Sequence, residues 1–166
     1  APNELLQTGG KLIADSNYVY ALRGEDQKNF YRHSNYDTSS AWQAFATLPI
    51  NVGEGTDVVL DSSYVYVLQG NGGSGNSSTF RHTLSDTSSA WATFTALPAA
   101  VYTGGAVAVD NNYVYVYRGN NSTNTYRHVI TTTTGAWDSF SALPNAPASY
   151  GGDIAIDSNC FYVIGE

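Results

Sequence analysis

The chain contains three histidines, His33, His82 and His128, and each directly follows an arginine, Arg32, Arg81 and Arg127. Imidazoles in such a series offer either a ring of metal ligands or a set of general bases. A catalytic pocket needs one set of groups and so breaks a repeat, whereas these pairs keep it. The sequence therefore assigns them to the scaffold, with each arginine bridging carboxylates or carbonyls of neighbouring strands. Arg23 and Arg118 are also repeat-equivalent, with Gln69 between them. Among the carboxylates, Asp15, Asp61, Asp110 and Asp157 mark one kind of turn, and Asp37 and Asp86 another. No repeat-breaking carboxylate pair suited to general acid and base work is visible. Calcium loops of the Asp-x-Asp type are absent as well. No catalytic residue, metal site or cofactor is expected. The single cysteine, Cys160, can make neither an internal disulfide nor a Cys-based zinc site. Its apolar neighbours predict a buried structural thiol.

The elements that position these residues come from an internal repeat. Blocks beginning at Gly9, Gly55, Gly104 and Gly151 align without gaps, and their turn aspartates recur every 46 to 49 residues. Between the blocks stand NFYRH, STFRH and NTYRH, then AWQAFATLP, AWATFTALP and AWDSFSALP. The first motif occurs four times and the others three. This gives repeats at about 9–54, 55–103 and 104–150 and a half repeat at 151–166 in one domain.

Each repeat reads as four strands. In the third, strand A is Ala106–Val109, strand B begins at Tyr113 and strand C at Tyr126. Strand D opens with Trp137 and closes at Leu143-Pro144. Nothing shows sustained helical periodicity. Strand B places Tyr113, Tyr115 and Tyr117 on one face and Val114 and Val116 on the other. Both faces are apolar or aromatic, so each sheet must lie between two others, as blades of a propeller do. The expected fold is all-β: four-stranded antiparallel blades of the β-propeller type, three full and one of two strands.

Repeat symmetry breaks where strand A begins, at Lys11, Asp57, Ala106 and Asp153. In a propeller the innermost strands line the central channel. Lys11, Asp57 and Asp153 are thus the candidate ligand-binding groups at one channel mouth. The loops between strands B and C carry N-x-[ST] acceptor patterns at Asn76, Asn120 and Asn121, which are candidate glycosylation sites. The last strand, Cys160, Phe161, Tyr162, Val163 and Ile164, would present an apolar, unpaired edge that invites strand addition.

The repeat resembles the kelch repeat. The shared features are an apolar strand, a Tyr-rich strand ending in Gly, a variable loop, a third strand, and Trp six residues before Leu-Pro. The resemblance implies a propeller. The kelch double glycine is a single Gly24, Gly70 or Gly119 here, and the kelch Tyr-Asp pair survives only as Tyr36-Asp37. Copper oxidases resembling galactose oxidase belong to that family, but they need a Tyr–Cys cross-link with nearby His ligands, and Cys160 has no His close in sequence.

The net charge of −7 leaves no basic patch to displace phosphate counterions, which excludes nucleic acid as a partner. No run approaches the ~20 apolar residues of a membrane span, so membrane insertion is not expected. A surface rich in Ser, Thr, Asn and Gly predicts an extracellular or cell-surface location, and Ala1-Pro2 is compatible with a processed start. The leading expectation is a non-enzymatic scaffold that partners with copies of itself, as a ring or filament, or with the remaining blades of a longer chain. The alternative is a carbohydrate-binding, lectin-like propeller with glycans as partners. A fragment of an extracellular enzyme comes third.

Overall fold

The computed structural model describes residues 6–70, 75–145, 152–157 and 160–165. Ala1-Pro2 and the outer limits of the half repeat, 151 and 166, lie outside them. Among the described residues, fourteen strands form four antiparallel sheets and no helix occurs. Blade 1 is β1 (Lys11–Ala14), β2 (Tyr18–Leu22), β3 (Phe30–Ser34) and β4 (Gln43–Ala44). Blade 2 is β5 (Asp57–Leu60), β6 (Tyr64–Leu68), β7 (Thr79–Thr83) and β8 (Ala92–Thr93). Blade 3 is β9 (Ala106–Val109), β10 (Tyr113–Tyr117), β11 (Thr125–Val129) and β12 (Asp138–Ser139). A two-stranded sheet follows, β13 (Asp153–Ile156) and β14 (Phe161–Ile164). Strands pair in chain order within each sheet, and the first strands of successive sheets stand side by side. This is the propeller-type arrangement, with β1, β5, β9 and β13 innermost.

The two faces of strand B fill two different inter-blade cores. Val114 and Val116 pack toward blade 2 with Tyr66, Leu68, Phe94 and Trp137. Tyr115 and Tyr117 pack the other way, with Ala106, Ala108 and Ile154. Burying apolar groups on both faces is what holds successive sheets together, at ~25 cal/mol per Å² of apolar surface removed from water.

The turn from strand A to strand B is built the same way each time. Asp61 Oδ1 accepts the amides of Ser63 and Tyr64 at 2.7 and 2.8 Å, while Oδ2 accepts the Tyr66 hydroxyl at 2.7 Å. Asp15 does this with Asn17, Tyr18 and Tyr20, and Asp110 with Asn112, Tyr113 and Tyr115. A carboxylate is required because three donors converge on two oxygens.

Strand D departs from the expectation of a long strand opening at Trp137, since its ladder covers only two residues in each blade. The surrounding backbone is held by single bonds instead, Phe140 N to Thr125 O and Leu143 N to Thr123 O, both 2.9 Å. It is the outermost strand, and its Trp and Phe are committed to packing rather than to a regular ladder. Cys160 also departs from expectation. It is exposed, and it precedes β14 instead of lying inside it. Its amide donates to Asp157 Oδ1 at 2.7 Å, which makes it a turn residue and turns its side chain away from the core.

Candidate functional site

The Arg-His pairs are built into the blade boundaries. His82 directs Nδ1 at Thr83 O (2.9 Å) and Nε2 at Ser89 O (2.9 Å), and its ring lies 5.1 Å from Trp91. His33 repeats this with Ser34 O, Ser40 O and Trp42. His128 keeps its Nδ1 bond, to Val129 O at 2.8 Å, and its packing on Trp137, but its Nε2 is buried without a partner. Gly135, with φ of 103°, stands where Ser40 and Ser89 stand in the other blades. Each arginine lies over a strand-B tyrosine: Arg32 on Tyr18 at 4.4 Å, Arg81 on Tyr64 at 4.7 Å, Arg127 on Tyr113 at 4.5 Å. Arg81 Nη1 also donates to Ile130 O of the next blade.

The channel mouth gathers Gly9, Gly10, Lys11, Glu54, Gly55, Thr56, Thr103 and Gly104 around a cavity of about 420 Å³. Its glycines are steric requirements. A Cβ on Gly55, whose φ is 82°, would stand 2.4 Å from Tyr102 O, so only glycine lets the loops of two blades approach this closely. Lys11 pairs with Asp57, Nζ to Oδ1 at 3.1 Å. Asp57 Oδ2 accepts the Val107 amide of blade 3 at 2.8 Å. Burial raises the Asp57 carboxyl above the ordinary range, with Lys11 and the Val107 amide pulling it down. Both Asp57 oxygens are thus committed, and the residue is 8 % exposed. Asp153 is exposed and its Oδ1 accepts its own neighbour's amide, Ile154 N, at 2.8 Å.

At the opposite end of the strands, two equivalent clefts open between blades. The first, between blades 1 and 2, is lined by Asp15, Asn17, Tyr18, Arg32, Ser62 and Leu84. The second, between blades 2 and 3, is lined by Asp61, Ser63, Tyr64, Asn111 and Ile130, and again by Ser62. Each holds about 350 Å³. Tyr18 and Tyr64 correspond in the repeat, as do Asn17 and Ser63, Ser62 and Asn111, and Leu84 and Ile130. Each cleft therefore combines a half-buried tyrosine braced by arginine with hydroxyl or amide side chains and one aliphatic wall. Sequence reasoning did not bring these residues together, because each cleft takes part of its wall from the next repeat.

The glycosylation candidates differ in setting. Asn76 is half-buried, and its Oδ1 accepts the Ser78 amide at 2.9 Å. Asn120 and Asn121 are exposed, with left-handed φ of 51° and 56° that asparagine tolerates in turns. Among the described residues no group of three or more His, Cys, Asp or Glu is placed to hold a metal ion. No helix is long and apolar enough to cross a membrane, again among the described residues.

No family model and no curated protein matches the chain. Solved structures do. The chain is similar over its whole length to a chain described as the structure of YjhT, with a TM-score of 0.73 and 15 % identity. It is similar over 96 % of its length to one described as Bacteroides ovatus xyloglucan PUL GH43B, with a TM-score of 0.56 and 11 % identity. It spans 60 % of the first of those chains and 36 % of the second. These likenesses establish the propeller fold. They also overturn the expectation of a non-enzymatic, self-assembling scaffold, and with it the expectation that the chain is not an enzyme. The architecture behind both is shared with a protein named for a polysaccharide. Repeat symmetry in the blades is thus no argument against carbohydrate chemistry, because function resides in sites and not in the fold.

Proposed function

We propose that the chain is a carbohydrate-binding segment of a propeller, with sugar rings held in the two equivalent inter-blade clefts. The observation that carries this reading is the recurrence of one arrangement, a braced tyrosine beside hydroxyl and amide side chains, in two cavities of equal size. A pyranose presents a flat C–H face and a rim of hydroxyls. The first suits the apolar body of tyrosine and the second suits Ser62, Asn17 and Asn111. About 350 Å³ is within the range of small-ligand sites. The likeness to a xyloglucan-named chain adds support from fold alone. We read the blades as kelch-like on their Trp-to-Leu-Pro spacing and strand order.

Ser62 lines both clefts and is exposed, so a charged, longer side chain there obstructs both without touching the core. Titration with a xyloglucan heptasaccharide tests the proposal. Binding to the native chain that is lost in Ser62→Glu supports it, and binding unaffected by Ser62→Glu refutes the cleft assignment.

A further inference from the structure

The two inter-blade clefts are alike in size and unlike in charge. Arg32 lines the first, whereas its repeat equivalent Arg81 does not line the second. The difference lies in what each guanidinium holds. Arg81 Nη1 donates to Ile130 O of the next blade. No such bond joins Arg32 to Leu84 O, the equivalent carbonyl of blade 2. The hydrogen bond Arg32 does make among the described residues is a long one, from Nε to Gln43 Oε1 at 3.4 Å. No carboxylate pairs with it there either, since the ion pair found among those residues joins Lys11 to Asp57. Both boundaries have four-stranded blades on either side, so the contrast is local to the two clefts.

The half-buried Arg32 is nonetheless held in place. Its Cζ lies 4.4 Å from the centre of the Tyr18 ring, a contact through the guanidinium face that leaves the in-plane N–H donors available. The carboxylates run the other way. Asp61 and Asp110 both line the second cleft, and of the turn aspartates only Asp15 lines the first. Asp15 is already committed to the Asn17 and Tyr18 amides and the Tyr20 hydroxyl.

We infer that the first cleft prefers a sugar acid, a pyranose carrying a carboxylate such as a hexuronate, and that Arg32 sets this preference. The inference rests on the carbohydrate reading of the clefts. A guanidinium offers two parallel N–H donors that match the two oxygens of a carboxylate. A pyranose seated against Tyr18 brings its carboxylate near a cation already stacked on the same ring. The second cleft, with two carboxylates and no arginine in its wall, disfavours that ligand and prefers the neutral sugar.

Methyl β-glucuronide and methyl β-glucoside, which differ only at C6, are the probes, followed by amide chemical shifts of the labelled chain. At Asn17 and Leu84 the glucuronide should bind about tenfold more tightly than the glucoside. The order should reverse at Asn111 and Ile130. Arg32→Gln should erase the preference at Asn17 and Leu84, while Asn111 and Ile130 still answer to the glucoside and so report an intact fold. Arg32→Lys should restore part of it. In the native chain the preference should shrink in about 0.5 M salt, a measurement that needs no variant. Equal binding of the two sugars in the first cleft, or a preference that survives Arg32→Gln, would overturn the inference and leave the carbohydrate reading standing. No shift in either cleft with either sugar would overturn both.

Discussion

Trp91 and Ala46 belong to different blades, and the indole Nε1 donates to the alanine carbonyl at 2.9 Å across the boundary. The side chain is 7 % exposed, so the donor has no water to fall back on. Replacing Trp91 by Phe keeps most of the packing and strands the carbonyl, with an expected loss of about 1–3 kcal/mol. Trp42 occupies the same repeat position in blade 1 but is half-buried. Trp42→Phe should therefore cost less. Urea denaturation of the two variants checks the asymmetry, and equal losses would deny the cross-blade bond its role.

The strand-B tyrosines tie stability to alkaline pH. Burial, and then the bond to Asp110, pushes the Tyr115 hydroxyl up to about 12. Burial and Asp15 or Asp61 raise Tyr20 and Tyr66 in the same way. The folded chain therefore holds these protons more tightly than the unfolded chain, whose tyrosines titrate near ~10. The stabilisation is complete below that value and is lost as pH climbs from there through the folded values. The urea midpoint should fall between pH 9 and pH 11. The fall should shrink in the Tyr20→Phe, Tyr66→Phe, Tyr115→Phe triple variant.

Lys11 offsets the burial of Asp57. In Lys11→Met the carboxyl loses its cation and rises further. A carboxyl raised on folding contributes most when protonated, so the variant should be destabilised at pH 7 and much less so at pH 4. Thermal melts at the two values decide this. A pH-independent loss would mean that Lys11 acts through packing alone.

Blade 3 lacks the turn that serves His33 and His82. Its Thr132–Gly135 turn leaves His128 Nε2 unpartnered, whereas Asp86 Oδ1 accepts the Ser88 and Ser89 amides at 2.8 and 3.2 Å and Ser89 O faces His82. Grafting Asp-Thr-Ser-Ser onto 132–135 should stabilise the chain by about 1 kcal/mol. Gly135→Ser alone should not, because φ of 103° is strained for any side chain. Calorimetry of both variants checks it.

The blades were legible because their signals are local. Aspartates recurring every 46 to 49 residues mark the A–B turn, and the alternating Tyr and Val of strand B reveal two buried faces. What was not legible depends on a neighbouring repeat. Asp57 reads as an open mouth residue until Val107 of blade 3 is placed against it. Cys160 reads as core until the Asp157 turn takes its amide. The clefts take Ser62 as a shared wall, a relation that exists only once blades are stacked. The scaffold expectation erred for a related reason. It took symmetry as a sign of no ligand, although two like clefts can hold two like sugars.

The central claim is that sugar rings occupy these clefts, and amide chemical shifts of the labelled chain during titration with xyloglucan heptasaccharide test it most directly. Saturable shifts confined to Asn17, Tyr18, Ser62, Tyr64 and Asn111, absent in Ser62→Glu, are the predicted result. Shifts confined to Glu54, Thr56 and Thr103 at the channel mouth, or no shifts at all, would contradict it.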